Sequence, residues 1–334
     1  MSSPEVRRGA AEMVAAMLMS GTIGWLVVDS QQAPINVAFM RCVLGGATLA
    51  LACAALGLLR RRLPWRTLAL AMAGGAAIVA NWVLLFAAYS RASISMATAV
   101  YNTQPFMLVG LGALVLGERV SASTVAWLAL AFVGLVGVVE VQPAVLAVPG
   151  EYLQGVACAA GAAFLYAISS IITRHLKGTP PHLIALVQLG FGALVLAPFI
   201  RYDTLPATPV HWAQIATLGI VHTGVMYVLL YGAIQKLPTA MTGALSFIYP
   251  VVAIFVDWFA FGQRLAWIQV AGAALILLAA AGVNRGPVPA NNRLALAARR
   301  AEREDCDEAN TRCIREEHDA AIGPSGGQPL TGND

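Results

Sequence analysis

Two prolines lie deep within apolar stretches of the chain, each beside residues that can form hydrogen bonds or pack on an organic solute. A proline in a helix has no backbone N–H, so the carbonyl four residues earlier loses its helical partner. Pro105 and Pro250 would free the carbonyls of Tyr101 and Ser246 in this way. Their polar and aromatic neighbours are Asn102, Gln104, Phe247 and Tyr249. This combination predicts a binding site for a small polar organic molecule.

Further polar and aromatic residues occur at a similar depth in neighbouring apolar stretches. They are Asn81, Trp82, Tyr166, Ser169, His222 and Tyr227. Aromatic faces can pack on the apolar part of a solute or attract an ammonium group, a contact worth about 0.5–2 kcal/mol. The alternative role for any one of these residues is to bond a neighbouring helix, at about 0.6–2 kcal/mol. We expect the group as a whole to line a central cavity.

Three ionisable residues also lie inside these stretches. If the stretches cross a membrane, a charge at its centre costs at least about 2.5–3.5 kcal/mol. A charge at that depth is therefore expected to have a structural or functional role. Arg41 and Asp257 can pair with each other, reach the membrane surface, or bind opposite ends of a zwitterionic solute. His222 is a candidate group for proton coupling, because histidine titrates near neutral pH. Its simpler role is a hydrogen bond to a neighbouring helix.

Several kinds of chemistry lack their sequence signatures. The chain contains two lysines, Lys177 and Lys236, and neither follows a glycine, so no nucleotide-binding P-loop is present. One histidine inside the apolar stretches is too few to hold a catalytic metal ion. The sequence therefore predicts no enzymatic activity, no cofactor and no metal site.

Composition indicates where these residues act. Hydrophobic residues make up 58% of the chain and charged residues 11%, which is unusual for a soluble protein. About 20 apolar residues in a helix cross a bilayer with all their backbone polar groups paired. The sequence predicts ten such helices. Their limits are 10–28, 34–58, 67–89, 94–116, 121–139, 153–173, 182–200, 212–234, 239–261 and 265–284.

The predicted fold is thus an all-α integral membrane protein of ten transmembrane helices. Residues 1–9 form a cytoplasmic N-terminus, and 10–139 and 153–284 each hold five helices. A periplasmic connection at 140–152 joins the two sets. A charged cytoplasmic tail, expected to be flexible, follows from 285 to 334.

The distribution of lysine and arginine predicts the orientation. With the N-terminus in the cytoplasm, ten of these residues fall on the cytoplasmic side and three outside, setting aside Arg41 and the seven arginines of the tail. An excess of positive charge in cytoplasmic loops is typical of membrane proteins. We expect a multi-pass protein of a bacterial-type inner membrane with both termini cytoplasmic. The net charge of +4 is then an orientation signal and does not indicate nucleic-acid binding.

The chain repeats itself. When it is shifted so that Pro250 falls on Pro105, an offset of 250 − 105 = 145 residues, Tyr227 falls on Trp82 and the match continues without a gap across three predicted helices. Each repeat holds five helices, and because five is odd, the second repeat must enter the membrane in the opposite orientation. Inverted repeats are typical of secondary transporters, whose binding sites lie near the bilayer midplane. The alternative is a gene duplication in a protein that does not transport.

The sequence resembles EamA-type members of the drug/metabolite transporter superfamily over nearly all of residues 10–284. The motifs that carry the resemblance are a proline followed by an apolar run and Gly-Glu-Arg at 105–119, its second copy at 250–264, and Arg41 in the second span. Gln263 stands where the family usually has glutamate. The resemblance implies a ten-span fold and the transport of metabolites such as amino acids or their derivatives.

We therefore expect a secondary transporter that exports a small amino-acid-like metabolite by alternating access around a midplane cavity. The resemblance implies the direction and the class of solute. The alternatives are an exporter of an amino-acid-derived metallophore and a passive facilitator. A membrane enzyme or a scaffold fits the sequence less well.

Overall fold

A computed structural model describes residues 4–92, 94–138, 149–261 and 266–285 of the 334-residue chain. The described part consists of α-helices, short 3₁₀ turns and one π-helical segment, and contains no β-strand. All of these helices belong to one compact unit. The predicted tail beyond Arg285 lies outside the described residues, as do residue 139 and residues 140–148 of the predicted connection.

Fourteen α-helices can be followed in the described residues, seven on each side of the predicted connection. In the first half they are α1 (Pro4–Ser20), α2 (Ile23–Asp29), α3 (Pro34–Ala55), α4 (Trp65–Ala92), α5 (Ile94–Tyr101), α6 (Gln104–Leu116) and α7 (Ala122–Val138). In the second half they are α8 (Pro149–His175), α9 (Pro181–Leu196), α10 (Pro209–Gly219), α11 (Met226–Lys236), α12 (Thr239–Ser246), α13 (Ile248–Phe261) and α14 (Trp267–Arg285).

Each predicted transmembrane segment coincides with a helical stretch. Among the described residues, seven stretches are long and apolar enough to cross a membrane. Three shorter apolar helices lie at 122–137, 239–253 and 267–283. The prediction of an all-α protein with several membrane-spanning helices is confirmed.

Both prolines singled out in the sequence lie just after a break in a helix. The fourth predicted segment divides into α5 and α6 at Asn102 and Thr103, where the Thr103 carbonyl accepts hydrogen bonds from the N–H groups of Phe106 (3.1 Å) and Met107 (3.3 Å). Pro105 is the second residue of α6, a position whose N–H has no helical partner to lose. The ninth segment divides at Phe247, which is 145 residues after Asn102. The two breaks therefore occupy equivalent positions in the repeats.

Two further segments are irregular. The first predicted segment divides into α1 and α2 at Gly21 and Thr22. The eighth consists of α10 and α11 joined by a π-helical turn, Ile220–Val225. A π-helical turn carries one extra residue per turn and is often found at functional sites. Here it contains His222 and Thr223, both buried.

The two halves are interleaved. Helix α4 packs against α8 and α9, and α1 packs against α11. Helix α3 packs against α9 and against the π-helical turn, while α7 lies against α14. The long helices of the first half thus bury their apolar faces on the second half, and the centre of the molecule is a shared interface.

Glycines permit the closest of these approaches. Gly45 on α3 lies against the π-helical turn, where an added Cβ would stand 2.7 Å from Thr223 Cγ2 and 3.0 Å from the Gly219 carbonyl oxygen. Gly192 on α9 lies against α4, where an added Cβ would stand 2.6 Å from Val79 Cγ2. Helices in membranes gain their contact from packing of this kind, since lipid supplies little hydrophobic drive for association.

Candidate functional site

Trp82 and Tyr227, which occupy equivalent positions in the two repeats, contact each other. The indole Nε1 of Trp82 on α4 donates a hydrogen bond to the hydroxyl of Tyr227 on α11 (3.2 Å). Their rings meet edge to face, with centroids 5.7 Å apart and planes at 88°. Equivalent residues can touch only where the two repeats meet, so this pair marks the centre of their interface.

Arg41 lies against this pair from α3. Its side chain is 2% exposed, and its guanidinium carbon stands 4.1 Å from the centre of the Trp82 ring. Its Nε donates a hydrogen bond to Thr223 Oγ1 (3.0 Å), and the Thr223 hydroxyl donates in turn to the Leu218 carbonyl (2.7 Å). The π-helical turn thus holds Thr223 as an acceptor for Arg41. A desolvated cation–π contact of this kind is worth about 2 kcal/mol.

The charge of Arg41 has no acidic partner in the described part of the chain. The ion pairs formed there join other residues, and the Arg41 contacts are to the neutral groups of Thr223 and Trp82. The side chain of Asp257, the predicted alternative partner, lies outside the described residues. The pairing of Arg41 with Asp257 stays a prediction.

Gln188 and Tyr231 belong to the same cluster, although the sequence analysis did not single them out. The Tyr231 ring lies 5.2 Å from that of Tyr227, and its hydroxyl donates a hydrogen bond to Gln188 Oε1. Gln188 Nε2 is buried with no partner among the described groups. A signal was available in the sequence, because Gln188 follows Pro181 by seven residues, as Arg41 follows Pro34. Both prolines begin their helices, so Gln188 is the second-repeat counterpart of Arg41.

Asn81 connects three helices beside Trp82. Its Nδ2 donates to the Ala162 carbonyl on α8 (2.7 Å) and to the Tyr101 hydroxyl on α5 (3.3 Å). The Tyr101 ring meets that of Tyr166 edge to face, with centroids 6.2 Å apart. The structure therefore brings Asn81, Tyr101 and Tyr166 together, and Asn81 adjoins Trp82 in the chain.

Asn102 lies at the break between α5 and α6 and reaches across to the second repeat. Its Nδ2 donates to the Tyr249 hydroxyl (2.8 Å) and to the Thr98 carbonyl of its own helix (2.7 Å). Gln104, two residues later, is also buried. The two helix breaks thus meet through a side-chain hydrogen bond.

Three amide oxygens in this region have no hydrogen-bond partner among the described groups. They belong to Asn81, Asn102 and Gln104. For the two asparagines, the amide orientation follows from the partners, because a backbone carbonyl can only accept and must face the NH₂ group. Buried polar groups are rarely left unpaired, so open acceptors are the kind of group that a ligand or water completes.

Other predicted residues form hydrogen bonds to backbone carbonyls or pack in the core. The Ser169 hydroxyl on α8 donates to the Gly74 carbonyl on α4 (3.1 Å), and the Ser246 hydroxyl donates to the Thr242 carbonyl of its own helix (2.8 Å). Phe247 is fully buried in the core. These contacts join helices or satisfy a single helix, which is the alternative role that the sequence left open.

His222 bonds to the break in the first segment. Its Nε2 lies 2.7 Å from Thr22 Oγ1, and its Nδ1 lies 3.2 Å from the Thr217 carbonyl. The Thr22 hydroxyl is also placed to donate to the Met19 carbonyl (2.9 Å). All these contacts can form together only if both ring nitrogens carry hydrogen, since Thr22 has one proton to donate. With a neutral imidazole, one of these three contacts is lost.

Glu118 of the Gly-Glu-Arg motif closes one end of the bundle. Its Oε2 accepts hydrogen bonds from the backbone N–H (3.1 Å) and the hydroxyl (2.6 Å) of Thr239, the first residue of α12. Its Oε1 forms a 2.6 Å ion pair with Arg174 near the end of α8. Arg174 also donates to the carbonyls of Ile234 (3.2 Å) and Leu237. This network ties the end of α6 to three helices of the second half.

Other contacts join α3 to the segment before α10, and α10 to α2. Asn36 on α3 exchanges two hydrogen bonds with the backbone of Arg201, through Nδ2 to the carbonyl (2.8 Å) and through Oδ1 from the N–H (2.9 Å). Gln214 on α10 donates to Asp29 at the end of α2. In the described part of the chain, no group of three His, Cys, Asp or Glu side chains is arranged to hold a metal ion.

Comparison with solved structures supports the fold. One crystal structure matches with a TM-score of 0.72 at 22% sequence identity, covering 82% of this chain and 95% of that one. At this level of identity, the likeness concerns the fold alone.

Several proteins of known sequence are similar to this chain. A Bacillus subtilis protein named as an uncharacterized transporter is 26% identical over 82% of this chain and 89% of its own length. An Archaeoglobus fulgidus protein, also named as an uncharacterized transporter, is 26% identical over 81% of this chain and 94% of its own. A Salmonella typhimurium protein named "Probable amino-acid metabolite efflux pump" is 25% identical over 54% of this chain and 64% of its own.

The family comparison matches the chain twice. The EamA-like transporter family matches residues 7–140 and again residues 153–285, which are the two repeats found in the sequence. Together these matches cover most of the chain, and helices occur throughout the described part of both. The protein is therefore a multi-pass membrane protein that belongs to the EamA-like transporter family.

Proposed function

We propose that this protein is a secondary transporter that exports a small amino-acid-like metabolite across a bacterial-type inner membrane. The observation that carries the proposal is the buried cluster around Trp82 and Tyr227, where equivalent positions of the two repeats meet beside a cation and unpaired amides. Ionisable and polar residues inside membrane helices are rare and often mark a substrate pathway. The name of the Salmonella typhimurium relative supports an amino-acid-like solute and the direction of export.

We propose alternating access as the mechanism, with ten spans arranged as two inverted five-helix repeats. Seven long and three shorter apolar helices are consistent with this count. The contacts of Glu118 would close the cytoplasmic end, and those of Asn36 and Asp29 would close the periplasmic end. The solute would meet the central cluster from one side at a time.

Comparative metabolomics tests the function. Cells with and without the protein are grown in the same medium, and the metabolites in cells and medium are measured over time. We expect one or a few amino-acid-like compounds to accumulate in the medium only when the protein is present, and to accumulate inside cells that lack it. An unchanged profile of the medium would contradict export.

Labelling of single cysteines tests the orientation and the number of spans. The positive-inside distribution predicts that both termini and the loop at Arg60–Arg62 lie in the cytoplasm, and that the loop near Asp203 lies in the periplasm. In intact cells, a membrane-impermeant maleimide should label a cysteine at position 203 but not one at position 61. The reverse labelling pattern would mean that the orientation in the membrane is opposite to the one proposed.

Proton coupling at His222 is a finer part of the proposal. The contacts of its ring with Thr22 and Thr217 are satisfied together by the protonated imidazole, and deprotonation would release one of them. Arg41, whose partner Thr223 adjoins His222, is the cation on the neighbouring helix. In proteoliposomes, flux should respond to a pH gradient, and His222→Gln should abolish that response. A passive facilitator would show no response in either protein.

A further inference from the structure

Resting on the proposed function, we propose that Arg41 binds the carboxylate of the transported solute, and that the open amide oxygens of Asn81 and Asn102 accept hydrogen bonds from its ammonium group. The solute class is then a zwitterionic α-amino acid or a close derivative.

The buried Arg41 side chain contacts only neutral groups among the described residues. A buried cation is stable only when an anion or several dipoles offset the loss of water. Arg41 uses its Nε for Thr223 and one face for Trp82, and neither of its terminal amino groups bonds an acceptor in the described residues. Those two groups point the same way in a planar fork, which matches the two oxygens of a carboxylate. The protein holds the fork in position before a solute arrives.

The second step concerns the acceptors. Asn81 and Asn102 each direct their NH₂ group to a backbone carbonyl, which leaves a buried oxygen that can only accept. An ammonium group has three donors and no acceptor, so it complements such oxygens. Tyr101 precedes Asn102 in the chain and lies beside Asn81. Its hydroxyl accepts a hydrogen bond from Asn81 Nδ2 (3.3 Å).

The third step concerns the difference between the repeats. The counterpart of Arg41 is the neutral Gln188, which bonds Tyr231. Thr223 has its counterpart at position 223 − 145 = 78, which is the buried Ile78. The anion site therefore has no second copy among the described residues, and a solute with one carboxylate would bind in one orientation.

Exchange transport with four matched compounds tests this assignment. Purified full-length protein in proteoliposomes exchanges labelled L-leucine against unlabelled L-leucine, L-leucinamide, 4-methylpentanoate or 3-methylbutylamine. The amide and the amine lack the carboxylate, and 4-methylpentanoate lacks the ammonium group. We expect L-leucine to compete at least about tenfold better than L-leucinamide or 3-methylbutylamine, the size of effect that a charge-assisted bidentate pair produces.

Variants of Arg41 test whether this residue causes the preference for a solute with a carboxylate. In Arg41→Gln, the preference for L-leucine over L-leucinamide should fall to less than about twofold, while Arg41→Lys keeps part of it because lysine retains the charge without the fork. Should Arg41→Gln fail to fold, Arg41→Lys still tests the fork. Arg91→Gln is the matched control, because Arg91 lies exposed at the end of α4 and loses the same charge away from the cluster. It should leave the preference unchanged.

Two results would overturn the assignment. One is that Arg41→Gln slows exchange equally for compounds with and without a carboxylate, which would make Arg41 structural. The other is that Asp257→Asn restores exchange in Arg41→Gln, which would make Asp257 the partner of Arg41. In both cases solute still moves, so transport stands. If no solute moved in the wild-type protein by any assay, including the metabolite comparison, the proposed function itself would fail.

Discussion

At the centre of the molecule, the first repeat contributes Arg41 and Trp82, whereas the second contributes Gln188 and Tyr227 at the corresponding positions. The backbone scaffold is alike in both, since the helix that carries Arg41 and the helix that carries Gln188 each begin at a proline seven residues earlier. The chemistry differs, because one repeat supplies a cation and an indole, and the other supplies an amide and a phenol. Helices of similar layout thus surround a centre whose positive charge comes from the first repeat.

This difference separates two requirements of a transporter. Opening to either side of the membrane requires halves that pack in similar ways, and packing depends on glycines, prolines and helix lengths. Recognising a solute requires groups matched to its charges, and a solute with unlike ends has no two-fold symmetry. We therefore expect substitutions in the shared scaffold to affect stability, and substitutions in the unlike residues to affect selectivity.

The largest expected effect comes from the scaffold. Gly45→Ala should lower the free energy of unfolding by about 1–3 kcal/mol through overpacking. An added Cβ at Gly45 meets the backbone carbonyl of Gly219 at 3.0 Å, which cannot move without shifting the π-helical turn. Gly192→Ala is the matched substitution in the other repeat. Its added Cβ meets side-chain atoms of Val79 and Cys42, which can rotate, so the loss should be smaller.

The apparent melting temperature of each glycine variant in detergent measures this difference. Arg91→Gln serves as a control for effects of purification, because its side chain is exposed and its substitution should leave the melting temperature unchanged. Equal losses for the two glycines would show that the scaffold is equally tight in both halves.

The second effect concerns the ends of the bundle. Glu118→Gln gives the first repeat the amide that the second has at Gln263, and it removes the ion pair with Arg174. Buried hydrogen bonds to charged groups contribute about 1.5–3 kcal/mol to stability. Because this pair is partly exposed, we expect its loss to lower the free energy of unfolding by about 1 kcal/mol. A cysteine at position 240 on α12 should then react several-fold faster with a maleimide applied from the Glu118 end.

The control for this substitution is Glu5→Gln. Glu5 pairs with Lys177 at 3.4 Å, and both side chains are more than half exposed, so the loss of this pair should leave the labelling rate unchanged. If both variants changed the labelling rate alike, the Glu118 network would have no special part in closing that end.

The third effect concerns the residue that orients Arg41. Thr223→Val removes the acceptor of Arg41 Nε with little change in shape, and makes the position as apolar as its counterpart Ile78. A lost hydrogen bond of about 1 kcal/mol should raise the KM for a carboxylate solute about fivefold. The same variant should leave the KM for L-leucinamide nearly unchanged. An equal rise for both solutes would assign Thr223 to packing.

The smallest effect concerns the central pair itself. Trp82→Phe and Tyr227→Phe each remove the hydrogen bond between the two repeats while keeping an aromatic ring. A double-mutant cycle in unfolding free energy should give a coupling of about 0.6 kcal/mol, the usual value for such bonds in membranes. A cycle between Trp82→Phe and Tyr202→Phe, an exposed tyrosine, should give none. A coupling of zero in the first cycle would leave only ring contact at the centre.

The sequence by itself determined the helices and the repeat. Apolar stretches can satisfy their backbone groups in lipid only as helices, so the helical class and the approximate positions of the helices follow from the sequence. The 145-residue offset related Trp82 to Tyr227 before any contact between them was known. Pro105 and Pro250, which the sequence singled out, each lie just after a break in a helix.

Only the tertiary structure decided which polar residues share one place. Ser246 and Asn102 look alike in sequence, each beside a proline, yet Ser246 bonds its own helix and Asn102 crosses to Tyr249. Gln188 and Tyr231 escaped notice because a buried amide or phenol has no local pattern, and its role depends on the helix it faces. Arg41 could be recognised as a charge in an apolar helix. Its contacts with Trp82 and Thr223 depend on how α3, α4 and the π-helical turn pack, which no local stretch of sequence specifies.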